Sequence, residues 1–209
     1  MVKDIRFNKI SSFWEWFETQ ERRIREILDD ELHPDREELV QMMDNQVLNL
    51  GLFTWEMGPE GPNSFYLTIS PNGDPELLQL SKSIVKASPA LSAWTFYYAK
   101  PIKEEPIELK LYDEEYNLHF VNAQSWQFGL SLTSSGHVDI TIVANNMKHL
   151  DQETRIGAGN LVISSLLGEE CHILHVRHIH VTTKAHSKDR QTVPAKAFKQ
   201  AFDKLLQGH

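Results

Sequence analysis

A single cysteine, Cys171, stands in this chain of 209 residues, and its isolation excludes two kinds of scaffold. No internal disulfide can form, and a zinc framework built from several cysteines is ruled out. Long apolar runs are lacking as well. No stretch approaches the roughly 20 consecutive apolar residues of a membrane-spanning helix, and the opening MVKDIRFNKI has no signal-peptide core. A cytoplasmic location with no membrane partner is the expectation. Positive charge is also short: 21 Lys+Arg face 29 Asp+Glu, for a formal net charge of −8. That balance argues against a nucleic-acid partner, because phosphate contacts need a concentrated basic surface. The exception is the stretch 184–209, where Lys184, Lys188, Arg190, Lys196, Lys199 and Lys204 outnumber Asp189 and Asp203. It reads as a solvated basic loop and helix, with docking to an acidic partner as the sharper alternative.

Catalytic signatures are missing too. There is no nucleophile elbow, no helical paired-histidine motif and no phosphate loop with its lysine. The nearest approach is GAGN, residues 157–160, where two glycines without the rest of a fingerprint suit close packing better than anion binding. Cys171 adjoins His172, but neighbours on a strand point to opposite faces. Glu169 and Glu170 beside it would raise a thiol's pKa. Acidic runs such as Asp29-Asp30-Glu31, Glu104-Glu105 and Asp113-Glu114-Glu115 read as solvated surface. No catalytic residue is assigned, and no cofactor is expected.

What is present is enough apolar material for a core, 41% of residues against 24% charged, in a pattern that switches period along the chain. Ser12 with Glu15 forms a capping-box pattern ahead of an apolar stripe at Phe13, Trp16, Phe17, Ile24, Ile27 and Leu28. A helix is therefore expected over about 12–30, ending before Pro34, with Trp16 and Phe17 buried against a sheet. Asp35 and Glu38 repeat the capping signal for a second helix over 36–50. Next come strand-like runs and a helix opened by Asp74 and Pro75, then another strand, WTFYYA. The same order returns with SWQFGLSLT, HVDITIVA, NLVISSLL and a histidine-rich segment. Pro194 opens a last helix carrying Phe198, Phe202 and Leu205 on one face.

The fold class expected is α+β: two tandem ββαβ units forming a mostly antiparallel sheet, packed against N-terminal and C-terminal helices. One domain spans 1–209. It divides into helices at 1–51, a first half at 52–100 and a connector with one or two short strands at 101–125. The second half covers 126–183, and the basic loop and final helix cover 184–209. The segments FWEWF, LTISPNGDPELLQL, ASPALSAWTFYYAKP and LVISSLLGEE together resemble a group of uncharacterised bacterial α+β proteins. That resemblance implies a bacterial, cytoplasmic protein and transfers no activity.

The segment CHILHVRHIHV, residues 171–181, concentrates four histidines. Read as one strand, its apolar phase slips between Val176 and Ile179, and a one-residue bulge near Arg177 would mend it. Such a bulge puts His175, His178 and His180 on one face, about 7 Å apart, as candidate metal ligands. His186 is a spare candidate, and His137 and Asp139 are contributors if their strand lies alongside. The competing reading is a polar strand face with no metal. The function expected is a non-catalytic intracellular binding or protein-interaction domain, its partner another protein or a second copy. The alternative is a metal-dependent hydrolase built on the histidine-rich strand.

Overall fold

The computed structural model describes residues 2–103, 107–184 and 192–208, with side chains described from residue 8 onward. Among these residues run six α-helices and nine strands in an α+β arrangement. None of the helices is long and apolar enough to cross a membrane. The chain divides into two compact units, 1–100 and 101–209, and each encloses its own apolar core.

The first unit contains α1 (Val2–Asp29), α2 (Arg36–Leu50), β1 (Thr54–Gly61), β2 (Ser64–Ser70), α3 (Pro75–Lys86) and β3 (Trp94–Tyr97). Its sheet order is β1-β2-β3, with β1 antiparallel and β3 parallel to β2. The helix α1 begins well before Ser12, so the expected capping box lies in mid-helix. Nothing in VKDIRFNKIS breaks a helix, since it holds neither proline nor glycine. Asp35 precedes α2 as expected but makes no side-chain cap. Its carboxylate and that of Glu38 instead take Arg23 at 3.0 and 2.8 Å, drawing α2 back against α1. Asp74 does cap α3, accepting from the backbone of Glu76 and Leu77 at 2.7 and 3.3 Å.

Alternation along β2 sends Phe65, Leu67 and Ile69 into the core, where Phe13, Trp14 and Phe17 of α1 meet them. Trp14, 4% exposed, is the more deeply buried of the two tryptophans in FWEWF; Trp16, expected to be mostly buried, is partly buried and packs against the same core. The difference has a polar cause. The indole N–H of Trp14 donates to the Ile84 carbonyl at 2.8 Å near the end of α3, beside the bond which that carbonyl accepts from the Ala87 N–H at 3.1 Å. Its ring also meets Phe96 edge-on at 4.8 Å.

The second unit holds β4 (Glu108–Tyr112), β5 (Leu118–Asn122), β6 (Gln127–Leu132), β7 (Val138–Val143), α4 (Gln152–Leu167), α5 (Glu169–His175), β8 (Val176–Thr182), β9 (Thr192–Pro194) and α6 (Ala195–Gln207). The main sheet runs β8-β7-β6-β9, with β8 parallel to β7 and the other pairs antiparallel. The stretch expected as a connector forms a separate β4–β5 hairpin. Its Ile107, Leu109, Leu111 and Val121 belong to this unit's core. GAGN lies inside α4 and not at its start. A Cβ on Gly159 would come within 2.8 Å of Val181 Cγ2, so this glycine lets α4 approach the sheet closely.

Trp14→Ala removes a buried ring and its hydrogen bond to the Ile84 carbonyl, and should destabilise the first unit by about 3–5 kcal/mol. Trp16→Ala should cost clearly less. Urea unfolding followed by circular dichroism orders the two; equal losses would contradict this packing.

Candidate functional site

The histidine-rich segment is not one strand. Gly168, with φ 78°, ends α4, and the chain turns into α5, which carries Cys171, His172 and His175. Glu169 and Glu170 occupy its first turn, where a helix dipole favours acidic side chains, and the two histidines lie in its last. Only at Val176 does β8 begin. The expected bulge is present at Arg177: Val138 pairs with Val176, and Asp139 with His178. Ile179 and Val181 thereby come opposite Ile140 and Ile142, while His178 and His180 lie opposite Asp139 and Thr141. His178 and His180 do share the exposed side. His175, at the end of a helix, does not join them as a strand neighbour, which corrects the three-histidine strand site. Among the described residues, no three His, Cys, Asp or Glu side chains are grouped to hold a metal. His186 lies outside the described residues, as do Lys188, Asp189 and Arg190.

The other sequence candidates are engaged locally. Arg177 grips Asp139 through two hydrogen bonds of 3.0 and 2.6 Å and holds that carboxyl below its usual range. His137 bonds Ser135 within its own turn at 3.2 Å. Burial pushes the Cys171 thiol up, away from the thiolate that nucleophilic chemistry needs. Burial also pulls the His172 imidazole down. Its Nδ1 lies 2.7 Å from the Ser164 hydroxyl, a contact that ties α5 to α4. In the first unit, Glu56, Thr68 and Tyr97 form one cross-strand row. The Tyr97 phenol donates to Glu60 at 2.5 Å and is pushed up to about 12, so it remains a donor at neutral pH.

The β4–β5 hairpin offers a different arrangement. Leu109 faces Val121 and Leu111 faces His119 on the inner side. The outer side pairs Lys110 with Phe120 and Tyr112 with Leu118. Phe120 is 72% exposed, Tyr112 64%, and Tyr116 in the turn 85%. The Lys110 ammonium stands 5.9 Å from the centre of the Phe120 ring.

Asp113 builds the turn that holds this face. Its carboxylate accepts the backbone N–H groups of Glu115 and Asn117 at 3.0 and 2.8 Å. It also accepts the Asn117 amide at 3.1 Å and meets His119 Nε2 at 2.8 Å. The His119 contact, followed by these amides, lowers the Asp113 carboxyl to about 2. Tyr116 takes a left-handed φ of 64° within the turn, a conformation uncommon outside glycine and sustained here by the surrounding bonds. At the other end, Asn146 accepts from the Trp126 indole at 2.8 Å and donates to the Asn122 carbonyl at 2.9 Å. The loop after β7 is thus fastened to the base of β5, and His149 of that loop lies 5.3 Å from His119, centroid to centroid.

Sequence reasoning missed this site because Asp113 was counted among solvated acids. The outer phase of the hairpin, Lys110 and Tyr112 on one strand and Leu118 and Phe120 on the other, was the available signal. Compared with protein families, curated proteins and solved structures, the chain matches none.

The Asp113 carboxyl titrates lower in the folded chain than the ~3.9 of an unfolded aspartate. Its support for the turn is therefore complete above that value and lost as pH falls through about 2. The Asn117 amide resonance should report this loss with a midpoint near 2; a midpoint at an ordinary aspartate value would contradict the hydrogen bonding described.

Proposed function

We propose that this protein is a non-catalytic binding module for another protein, and that the outward face of β4–β5 is its contact surface. One observation carries the reading: Tyr112, Tyr116, Leu118 and Phe120 are all exposed on one small hairpin. Large apolar side chains gathered on a surface mark interaction sites, and tyrosine is enriched among the residues that dominate binding energy. Glu108, Lys110 and Asn122 supply the polar rim that such interfaces carry. The Asp113 hydrogen bonds fix the hairpin before any partner arrives, which reduces the entropy lost on association. The hairpin is a two-stranded sheet of β4 and β5, so it also presents strand edges to which an extended segment can add. The alternative, a metal-dependent hydrolase built on the histidine-rich segment, draws less support, because CHILHVRHIHV divides between α5 and β8 and does not run as one strand.

A double substitution, Tyr112→Ser with Phe120→Ser, tests the reading. Both side chains are exposed, so stability should change little, within about 0.5 kcal/mol per site. Proteins retained by the wild-type chain should be lost by the variant, and hydrogen exchange in the complex should slow over residues 108–122. Retention of the same proteins by both chains would contradict the proposal. A concentration-dependent dimer abolished by the substitutions would identify a second copy as the partner.

A further inference from the structure

We propose that His119 and His149 form a binding site for a divalent transition-metal ion of the zinc and copper(II) class, independent of the interaction surface assigned above. The first support is the orientation of His119. Its Nε2 lies 2.8 Å from Asp113 Oδ2, and a carboxylate only accepts hydrogen bonds, so Nε2 carries the proton. In the neutral ring the lone pair is then on Nδ1. A carboxylate behind a histidine is the arrangement that surrounds metal-ligating imidazoles, where it fixes the tautomer and raises ligand basicity.

The second support is a distance. The two ring centroids are 5.3 Å apart, with the planes inclined at 49°. Two imidazoles sharing one tetrahedral ion, with metal–nitrogen bonds of about 2.0–2.1 Å, place their centroids about 5 Å apart. The observed spacing matches that geometry.

The third support is that His149 is held where it stands. Met147 and Leu150 on either side of it are buried, and Arg155 donates to the Met147 and Lys148 carbonyls at 3.0 and 3.1 Å. His149 itself is exposed, so an ion has access. Asp113 stands behind His119, and among the described residues no three His, Cys, Asp or Glu are grouped to hold an ion together, so water completes the coordination and the ion exchanges readily. Imidazole donors select zinc or copper(II) over magnesium or calcium, which prefer oxygen.

The test is a titration of the untagged full chain with zinc chloride, following the histidine ring signals by NMR. The ring signals of His119 and His149 should move together and saturate at one ion per chain. His149→Ala should weaken zinc binding at least tenfold, and His178→Ala with His180→Ala should leave it unchanged. Zinc shifts confined to other histidines, or equal affinity in His149→Ala, would overturn the proposal. The wild-type ring shifts decide the matter even if a variant fails to fold.

Discussion

The Asp113 carboxylate accepts two backbone N–H groups, an amide and an imidazole N–H, and the shape of the second unit's hairpin follows from those contacts. They fix where the chain reverses, which sets the register of β4 against β5. The register in turn decides that Leu109, Leu111 and Val121 face the core while Tyr112, Leu118 and Phe120 face outward. A one-residue slip would exchange the two sets. One ionised side chain thus stands behind both the aromatic surface and the orientation of His119.

The rest of the second unit secures that hairpin from below. Trp126, fully buried, reaches Asn146, and Asn146 reaches Asn122, so a core residue, a loop and the end of β5 are joined in sequence. The indole N–H of the buried Trp126 helps to define this position, because leaving such a donor unmatched costs about 1–3 kcal/mol. On the main sheet, Gly159 admits α4 close to Val181 and Ile142, and the bulge at Arg177 restores the inward phase of Ile179 and Val181. The first unit solves the same problem with aromatic bulk: Phe17 meets Trp94 edge-on at 4.9 Å across the inner face of its sheet.

Much of the fold was legible in the chain because it depends on local periodicity. The α+β class, the cap at Asp74 and the bulge at Arg177 all follow from spacing that a reader can count. The failures share a cause as well. Trp14 and Trp16 are indistinguishable by hydrophobicity, and contacts distant in sequence, with Phe96 and the Ile84 carbonyl, mark Trp14 as the more deeply buried. His175 carries no local mark of helix against strand; the turn at Gly168 and the acidic first turn of α5 decide it. The candidate site was harder still, since Asp113, His119 and His149 are brought together by a hairpin turn and by the Asn146 tether. Long-range contacts of that kind leave no periodic trace.

Placing a photoreactive phenylalanine analogue at position 120 tests the assignment of the contact face most directly, with the same analogue at the exposed Leu32 of the first unit as reference. Irradiation in cells should give a discrete cross-linked species from position 120 and none from position 32. Equal cross-linking from both positions, or a discrete species from position 32 alone, would contradict a binding surface on the β4–β5 hairpin.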